Sequence, residues 1–266
     1  MKPLNECPRV ALASIQGVLT DIDETVSTDG RLTAEAYGAL EALKKAGFLV
    51  VPVTGRPAGW CDHIARFWPV DAVVGENGAF WMWHDSNAGR LRTRFVQPEA
   101  ERAEGRRRLE AVRTDVLREV PGCAIASDQP YRLADLAVDF CEDVPALPRQ
   151  DVERIVAIFE RHGAHAKVSS IHVNGWFGDY DKLTTSRLMM GELFGVDLEA
   201  ERAAYVFAGD SPNDSPMFGF FPNAVGVANV SDFAARMDHQ PRWITTGRAG
   251  AGFVELVRAL IDARRR

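Results

Sequence analysis

The chain has 266 residues, of which 46% are hydrophobic and 26% are charged, and its formal net charge is −6. These proportions are ordinary for a folded globular protein and differ from those of disordered, fibrous or membrane-spanning chains. The negative net charge argues against a protein that mainly binds nucleic-acid phosphates. The basic stretch from Arg102 to Arg113 is interleaved with glutamates, so we interpret it as the solvent-exposed face of a helix.

Cysteine usage and hydropathy bear on the compartment of the protein. The four cysteines, Cys7, Cys61, Cys123 and Cys141, have no C-x-x-C spacing that would indicate a metal or redox site. No cleavable apolar leader is recognisable, and the longest apolar stretches have the length of strands rather than of membrane-spanning helices. We therefore expect a cytoplasmic protein with reduced thiols and no membrane contact.

In the first third of the chain, short apolar stretches alternate with segments of helical periodicity. The predicted elements are a strand from Ser14 to Asp21 (SIQGVLTD), a helix from Leu32 to Ala46 that ends at Gly47, a strand FLVVPV, a helix from Ala58 to Phe67 and a strand from Asp71 to Val74. Alternation of this kind favours right-handed crossovers. The sequence thus predicts a doubly wound, Rossmann-like α/β fold with a parallel sheet.

The pattern changes between about Phe80 and Gly178. The elements predicted there are a charged helix from Glu99 to Val120, strands near Cys123 to Ser127 and Leu136 to Cys141, a helix from Arg149 to His162 and strands around His165 to Trp176. Alternation then resumes with a helix from Leu183 to Phe194, the strand AYVFAGD, a helix from Asn213, the strand NAVGVAN and a helix from Phe253 to Arg264. We predict a discontinuous core, residues 1–85 and 178–266, that carries an inserted α+β cap domain at residues 86–177.

Two aspartates follow the first predicted strand. In LTDIDETVSTDG, Asp21 and Asp23 stand at the end of a buried apolar strand, where carboxylates are costly unless a cation or hydrogen-bond donors neutralise them. Residues two apart in an extended chain point the same way, and the carboxyl ends of parallel strands are where α/β sheets bind ligands. We expect one pocket to hold both side chains. The alternative is an acidic helix cap and turn that includes Thr25.

A second acidic cluster, GDSPND, follows the strand AYVFA and supplies Asp210, Asn213 and Asp214. Hard oxygen ligands such as Asp21, Asp210 and a backbone carbonyl suit Mg²⁺ better than Zn²⁺, which prefers histidine or cysteine. The competing interpretation is a turn followed by a helix N-cap. The joint occurrence of two acidic strand ends favours a Mg²⁺ site.

Two further segments suit a phosphate group. Thr54, Gly55 and Arg56 in VVPVTGRP follow the second strand, where the Thr54 hydroxyl and backbone N–H groups can donate to phosphate oxygens. Lys182, in DYDKLT, supplies a positive charge that can bind phosphate and offset the repulsion among the aspartates. Arg56 has two alternative roles, binding a second anionic group or pairing with Glu76.

The segments DIDET, VTGRP, Lys182 and GDSPND, in this order, resemble the four motifs of the haloacid dehalogenase superfamily of phosphatases. The insertion between the second and third motifs, together with GENGA at Gly75 to Ala79, resembles the subclass IIB α/β cap of the Cof-like, sucrose-phosphate phosphatase and phosphomannomutase families. This resemblance implies a phosphohydrolase with a Rossmann-like core and a cap that closes over a small phosphate ester.

The resemblance also implies a role for each motif residue. Asp21 would be the nucleophile that becomes phosphorylated, and Asp23 would protonate the leaving group and then activate water. The residues implied at Mg²⁺ are Asp21, the Asp23 backbone carbonyl and Asp210, with Asp214 and Asn213 in support. The residues implied at the transferring phosphoryl group are Thr54 and Lys182.

One residue departs from the family pattern, because Glu24 stands where the family most often has glycine. The glutamate side chain places an extra negative charge beside the site, and it puts a residue with a Cβ atom in a turn where the family most often has none. Asp23 retains the acid that dehalogenases of the superfamily lack and that ATP-driven pumps replace by threonine.

The segment SSIHVNGWFGDYDK holds His172, Asn174 and Trp176 at alternate positions of a predicted cap strand. An imidazole, an amide and an indole on one face can stack on and hydrogen-bond to a sugar, so we expect a sugar or polyol phosphate as substrate. The alternative is that Trp176 packs the hinge and that His172 has a structural partner. Trp81 and Trp83 in AFWMWH are predicted to pack the cap against the core.

Two other functions compete with a phosphatase. A sugar phosphomutase with the same core would return the phosphoryl group to a bound sugar and would need a bisphosphate activator. A noncatalytic phosphoryl-accepting switch, built like a receiver domain, also uses an acidic pocket with threonine and lysine, but the insertion and Asp23 disfavour it. We expect a small phosphate ester as the substrate, no nucleic-acid or membrane partner, and a monomer or homodimer.

Overall fold

A computed structural model describes residues 1–265 of the chain. Its strands are β1 (Lys2–Pro3), β2 (Gly17–Thr20), β3 (Leu49–Pro52), β4 (Val73–Gly75), β5 (Phe80–Asp85), β6 (Arg90–Phe95), β7 (Ala124–Ile125), β8 (Leu136–Asp139), β9 (His165–Val168), β10 (His172–Trp176), β11 (Tyr205–Gly209), β12 (Val225–Gly226) and β13 (Trp243–Ile244). Its α-helices are α1 (Arg9–Ala13), α2 (Ala34–Lys45), α3 (Ala58–Phe67), α4 (Glu99–Glu119), α5 (Arg149–Arg161), α6 (Lys182–Phe194), α7 (Leu198–Glu201), α8 (Ser215–Phe220) and α9 (Ala249–Arg264). Short 3₁₀ helices cover Leu4–Glu6, Glu76–Gly78, Gln129–Tyr131, Arg202–Ala204, Pro212–Asp214 and Ala228–Arg236.

The largest sheet is parallel and has the strand order β1-β13-β12-β11-β2-β3. The chain passes from β2 to β3 on one side and later returns with β11 on the other side of β2. The direction of winding therefore reverses between β2 and β11, and a crevice opens at the carboxyl ends of these two strands. The predicted α/β fold with a doubly wound, Rossmann-like parallel sheet is confirmed.

Hydrophobic clusters cover both faces of this sheet because its central strands are apolar on both faces. Val18 of β2 belongs to the cluster that includes Leu40 of α2 and Leu256 of α9. The next residue, Leu19, belongs to the opposite cluster, which includes Met189 of α6. Successive residues of one strand thus enter different clusters, as the two-residue period of a strand requires.

A smaller antiparallel sheet, β4-β5-β6, adjoins the parallel sheet through a single bridge between Val53 and Val74. Its β5–β6 hairpin has no counterpart among the predicted elements and spans residue 86, the predicted start of the cap. Trp81 of β5 is 1% exposed and lies in the cluster of the parallel sheet and α6, and Trp83 packs against the same cluster. Both tryptophans therefore pack within the core, and because they also pair with Arg94 and Arg92 of the predicted cap segment, their role in joining the cap to the core stays a prediction.

The segment from α4 to β10 forms a separate α+β layer. Its antiparallel sheet, with strand order β7-β8-β10-β9, shares one hydrophobic cluster with α4 and α5. Gly175 of β10 leaves room for Phe159 of α5, because a Cβ at residue 175 would lie 2.1 Å from that ring. The helices and strands of this layer are those predicted for the inserted α+β unit. The domain boundaries at 85/86 and 177/178 remain predictions.

Four helix starts differ from the predicted ones. Helix α2 begins at Ala34 rather than at Leu32, and α6 begins at Lys182 rather than at Leu183. The helix predicted from Asn213 begins at Ser215, because the preceding residues form the 3₁₀ turn Pro212–Asp214. Helix α9 begins at Ala249 rather than at Phe253, with a φ of 48° at Ala249. The short elements β1, α1 and β13 also have no counterpart among the predicted elements. Such short segments carry too few residues for periodicity to reveal them.

The arginine-rich helix α4 follows the sequence-based expectation. The arginines of α4 pair with glutamates of the same helix, as in the pairs Arg106–Glu99 and Arg107–Glu104, and these side chains are exposed. The interpretation of this stretch as a solvent-exposed helix face is confirmed. Within residues 1–265, none of the helices has both the length and the apolar composition that a bilayer crossing requires.

Candidate active site

The crevice at the sheet edge receives carboxylates from two neighbouring strands. Asp21 follows β2 directly, and its N–H donates to Ala208 O at 2.8 Å, which continues the strand ladder. Asp210 follows β11, and Asp214 closes the 3₁₀ turn behind it. All three side chains are buried, and each offers an oxygen within 4.8 Å of the others. Adjacent parallel strands bring these groups together because both strands end at the same edge.

Lys182, the first residue of α6, supplies a positive charge to this cluster. Its Nζ lies 2.7 Å from Asp21 Oδ1 and 2.7 Å from Asp214 Oδ1, and the residue is 3% exposed. Asp181 caps α6 by accepting from Thr184 N, which fixes the start of the helix and hence the place of Lys182. Burial acts to lower the pKa of Lys182, but the two carboxylates outweigh it and raise that pKa above its usual value.

One ammonium faces three carboxylates, so the cluster carries excess negative charge. Burial raises the pKa of Asp21 to about 7, against the opposing effect of Lys182. Burial, reinforced by Asp21 and Asp214, also raises the pKa of Asp210 well above its usual value. Carboxyl groups with raised pKa values in one crevice are typical of functional sites, and a bound cation would stabilise their ionised forms.

The oxygen atoms of this cluster fit a hard divalent cation. Asp210 Oδ2 accepts from Asn229 Nδ2 at 2.9 Å, whereas Asp210 Oδ1 is buried without a hydrogen-bond partner in the described residues. Asp214 differs, because its Oδ1 accepts from Lys182 and its Oδ2 accepts from the N–H groups of Asp210 and Ser211. Mg²⁺ prefers carboxylate and carbonyl oxygens. Asp210 is therefore better placed to ligate a cation, and Asp214 is better placed to orient Lys182 and the loop.

Arg56 links the second motif to Asp23 and to the cap. Its Nε donates to Asp23 Oδ1 at 2.9 Å and to Asp23 Oδ2 at 3.1 Å, and its Nη2 donates to Glu142 Oε1 at 2.9 Å. Its backbone N–H donates to Thr54 Oγ1 at 3.0 Å, which leaves the Thr54 hydroxyl proton available for another acceptor. The guanidinium thus pairs with Asp23 and Glu142, and the alternative of an Arg56–Glu76 pair is wrong.

Glu76 is instead occupied by backbone groups. Its carboxylate accepts from Ala58 N and from three consecutive cap amides, those of Leu133, Ala134 and Asp135. Nearby, Gly55 O accepts from Arg132 Nη1 at 2.8 Å. These bonds join the core to the cap beside the crevice.

His172 and Asn174 of β10 line the crevice and also have internal partners. His172 Nε2 lies 2.8 Å from Glu142 Oε2, and Asn174 Nδ2 donates to Asp135 Oδ2 at 2.9 Å. The side chain of His172 and that of Arg56 together hold the pKa of Glu142 down at about 2. The residues that line a cavity in this crevice are Asp21, Asp23, Gly55, Arg56, Arg132, Ser169, Ser170, Ile171, His172, Asn174, Ser211 and Asn213, whereas Thr54, Lys182, Asp210 and Asp214 are not part of its lining.

Trp176 lies outside this lining. Its Nε1 donates to Tyr180 O at 3.1 Å, and the Trp176 and Tyr180 rings stack with centroids 5.7 Å apart. The indole is 2% exposed and belongs to the cluster that includes Ile64 of α3 and Phe80 of β5. This environment corresponds to the alternative interpretation, in which Trp176 packs the hinge between cap and core.

Three further residues beside the crevice were not among the predicted site residues: Asn229, Arg132 and Glu142. Asn229 follows β12, so the rule that located Asp21 and Asp210, a polar side chain at the carboxyl end of a parallel strand, would also have found it. Arg132 and Glu142 lie in cap loops, where no periodic signal marks them. Only the fold brings these two side chains to the crevice.

Glu24 has a backbone conformation that explains the glycine common at this position in the resembling family. Its φ is 53°, in the left-handed region that glycine adopts readily. In this chain the turn is held by two bonds, from Glu24 N to Ser27 Oγ at 3.1 Å and from Gly30 N to Glu24 Oε1 at 3.2 Å. The turn geometry is therefore retained with glutamate.

Residues 18–100 match a sequence family described as haloacid dehalogenase-like hydrolase. This segment, which includes DIDET and VTGRP, is similar to that family. The resemblance predicted from the four motifs is thereby confirmed, as is the prediction of an enzyme of the hydrolase class. No curated protein matches the sequence.

Solved structures share the fold over nearly the whole chain. A Thermoplasma acidophilum protein has a TM-score of 0.68 at 17% identity, covering 92% of this chain and 98% of its own. A HAD/Cof-like hydrolase from Plasmodium vivax has a TM-score of 0.68 at 16% identity, and the match covers 96% of this chain and 99% of that hydrolase. The sucrose-phosphatase of Synechocystis has a TM-score of 0.63 at 13% identity, covering 92% and 98%. These similarities establish a common fold that includes the inserted cap.

Asp210→Asn is expected to raise the melting temperature of the metal-free protein by about 2–6 °C at pH 8, because it removes one of three clustered carboxylates. The advantage should shrink as the pH falls toward about 4. The reason is that the pKa of Asp210 is higher in the folded protein than in the unfolded chain. Above about pH 4 the folded protein therefore holds a proton that the unfolded chain has released, and the parent loses stability as the pH rises. Thermal unfolding in a chelator measures this, with the exposed Asp238→Asn as the matched control. Equal melting temperatures of Asp210→Asn and the parent at pH 8 would contradict the expectation.

Proposed function

We propose that this chain is a Mg²⁺-dependent phosphohydrolase that acts on a small phosphorylated metabolite through a phosphoaspartate at Asp21. The observation that carries the proposal is the position of Lys182 between Asp21 and Asp214, in the same buried cluster as Asp210 Oδ1, an atom without a hydrogen-bond partner among residues 1–265. Phosphoryl transfer depends mainly on charge neutralisation and alignment, which such a cluster supplies once a cation balances it.

The proposed reaction has two steps. In the first, an Asp21 oxygen attacks phosphorus, the ester P–O bond breaks, and the leaving oxygen takes a proton from Asp23. In the second, Asp23 accepts a proton from a water molecule, whose oxygen attacks the same phosphorus, and the bond to Asp21 breaks to release inorganic phosphate. The proposed donors to the phosphoryl oxygens in both steps are Lys182 Nζ and the Thr54 hydroxyl.

Arg56 orients Asp23 in the structure. Its Nε–H is shared between the two oxygens of Asp23, at 2.9 Å and 3.1 Å, and a protonated Asp23 would keep its carbonyl oxygen as the acceptor of this bond. The guanidinium also lies 4.3 Å from the centroid of the Trp60 ring, which supports it from one side. A phosphate ester in the crevice offers the guanidinium another anionic partner.

The metal would be held by oxygen atoms at the two strand ends. Bound Mg²⁺ supplies charge neutralisation at the phosphoryl oxygens and in the carboxylate cluster. The residues proposed to hold it are Asp21, Asp210 and the Asp23 backbone carbonyl, with Asp214 and Asn213 in support. Ser211 Oγ donates to Asn213 Oδ1 at 2.8 Å, which fixes that amide at the crevice.

We propose a sugar or polyol phosphate as the substrate. His172 and Asn174 are cap side chains that line the crevice, and their partners Glu142 and Asp135 hold them in place. The Synechocystis sucrose-phosphatase, which has the same fold, was solved with sucrose and phosphate. Trp176 is left out of the proposal because it packs at the hinge. A cytoplasmic location and a monomeric or homodimeric state remain predictions.

Phosphate release from a panel of sugar, polyol, nucleotide and cofactor phosphates tests the proposal. We expect release with Mg²⁺ and no added activator, and loss of at least about 99% of that rate in excess chelator, because the carboxylate cluster then lacks its counter-charge. Readdition of Mg²⁺ should restore the rate. If the chelator did not change the rate of phosphate release, the proposed dependence on Mg²⁺ would be wrong. Transfer to a second sugar position only in the presence of a sugar bisphosphate would identify a phosphomutase instead.

A further inference from the structure

Asn229 lies beside the proposed metal site, in the 3₁₀ helix Ala228–Arg236 that follows β12, and is 7% exposed. Its Nδ2 donates to Asp210 Oδ2 at 2.9 Å and to Glu24 O at 2.9 Å, and its Oδ1 accepts from Ala249 N at 2.8 Å. A primary amide has two N–H donors and one carbonyl oxygen. Every polar group of this side chain is therefore used.

The partners of Asn229 also fix the orientation of its amide. Glu24 O can only accept a hydrogen bond and Ala249 N can only donate one, so the nitrogen must face Glu24 and the oxygen must face Ala249. An N–H is thereby directed at Asp210 Oδ2. The contact with Asp210 is a charge-assisted hydrogen bond when that carboxyl group is ionised.

Two of the partners of Asn229 have backbone conformations that non-glycine residues rarely adopt. The φ angles are 53° at Glu24 and 48° at Ala249, in the left-handed region that a Cβ atom disfavours. Asn229 bonds to the backbone of both. It thus connects the turn after β2, the loop after β11 and the first residue of α9.

We propose that Asn229 is a positioning residue for the divalent cation. By occupying Asp210 Oδ2, it holds the carboxylate in one orientation and leaves Oδ1, which has no partner in residues 1–265, for the cation. By binding Glu24 O, it fixes the turn that carries the Asp23 carbonyl, another proposed ligand. One side chain therefore sets the relative positions of ligands from two strand ends. This inference rests on the proposed function for the identity of the cation.

Isothermal calorimetry of Mg²⁺ binding to Asn229→Ala tests the proposal without any substrate. The expected dissociation constant is about 10–100-fold higher than that of the parent, which is the usual effect of losing a hydrogen-bond partner of a metal ligand. The matched control is Asn223→Ala, which removes an exposed amide that donates to Ala203 O at 3.0 Å, and it should bind Mg²⁺ as the parent does. In turnover, the Mg²⁺ concentration needed for half-maximal rate should rise with the dissociation constant, while the substrate KM at saturating Mg²⁺ stays within about threefold.

A second variant separates metal positioning from a purely structural role. Asn229→Ala combined with Ala249→Gly relieves the backbone strain at residue 249 and so offsets part of the structural cost, while the N–H of residue 249 still loses its acceptor. If this double variant still binds Mg²⁺ about 10–100-fold more weakly, the loss comes from Asp210 and Glu24. Parent-like Mg²⁺ affinity in either variant, or a parent that binds no Mg²⁺, would overturn the inference. A parent that binds Mg²⁺ but releases no phosphate would refute only the proposed function.

Discussion

Asp21→Asn is expected to lower phosphate release at least about a thousandfold, the largest effect on activity that we predict. An amide is a far weaker nucleophile than a carboxylate, and it cannot form the phosphoaspartate. The fold should persist, because the carbonyl oxygen of the substituted amide can still accept from Lys182 Nζ, which lies 2.7 Å from Asp21 Oδ1 in the parent. Removal of one buried carboxylate also relieves repulsion with Asp210 and Asp214.

The loss of activity is measured as steady-state phosphate release at saturating Mg²⁺ beside the parent and the exposed control Asp238→Asn. Rapid quenching followed by intact mass analysis should detect one phosphoryl group on the parent during turnover and none on Asp21→Asn. Circular dichroism and melting temperature show whether the variant is folded. If Asp21→Asn turned over substrate as fast as the parent, the covalent mechanism would be wrong.

Glu76→Ala is expected to destabilise the protein by about 3–5 kcal/mol, the largest effect on stability that we predict. The Glu76 carboxylate is fully buried and accepts from Ala58 N and from the amides of Leu133, Ala134 and Asp135. Alanine leaves these four N–H groups without an acceptor, and each buried unsatisfied group costs about 1–3 kcal/mol. Water that enters the vacated space would recover part of this cost.

Urea unfolding measures the effect, with Glu160→Ala as the matched control, because Glu160 is an exposed residue of α5 and its removal should change stability by less than about 0.5 kcal/mol. Hydrogen exchange should show the loss of protection at Leu133 to Asp135, since these amides lose their acceptor. Glu76→Gln keeps one acceptor oxygen and should lie between Glu76→Ala and the parent. If Glu76→Ala had the same urea midpoint of unfolding as the parent, the stabilising role proposed for the Glu76 carboxylate would be refuted.

The core of the fold and the acidic part of the site follow from the sequence. Apolar stretches of strand length, separated by helical periodicity, are sufficient to predict a parallel sheet, and the strands β2 and β11 lie within the predicted segments. Asp21 and Asp210 each come directly after one of these strands. Because parallel strands end at one edge, their sequence positions alone predicted that the two carboxylates meet, and the structure brings them within 4.8 Å.

The partners of the charged and polar side chains, in contrast, were decided by the tertiary structure. Arg56 pairs with Asp23 and with Glu142 rather than with Glu76, and the indole of Trp176 packs against Tyr180 rather than lining the cavity. Periodicity indicates that a side chain is buried, but it carries no information about which distant segment packs against it. Asn229 meets Asp210 and the Glu24 carbonyl for the same reason, since three loops converge only after the sheet has formed. The sequence therefore determined which strand ends carry chemistry, whereas the three-dimensional packing of cap, turns and helix starts decided which residues hold that chemistry in place.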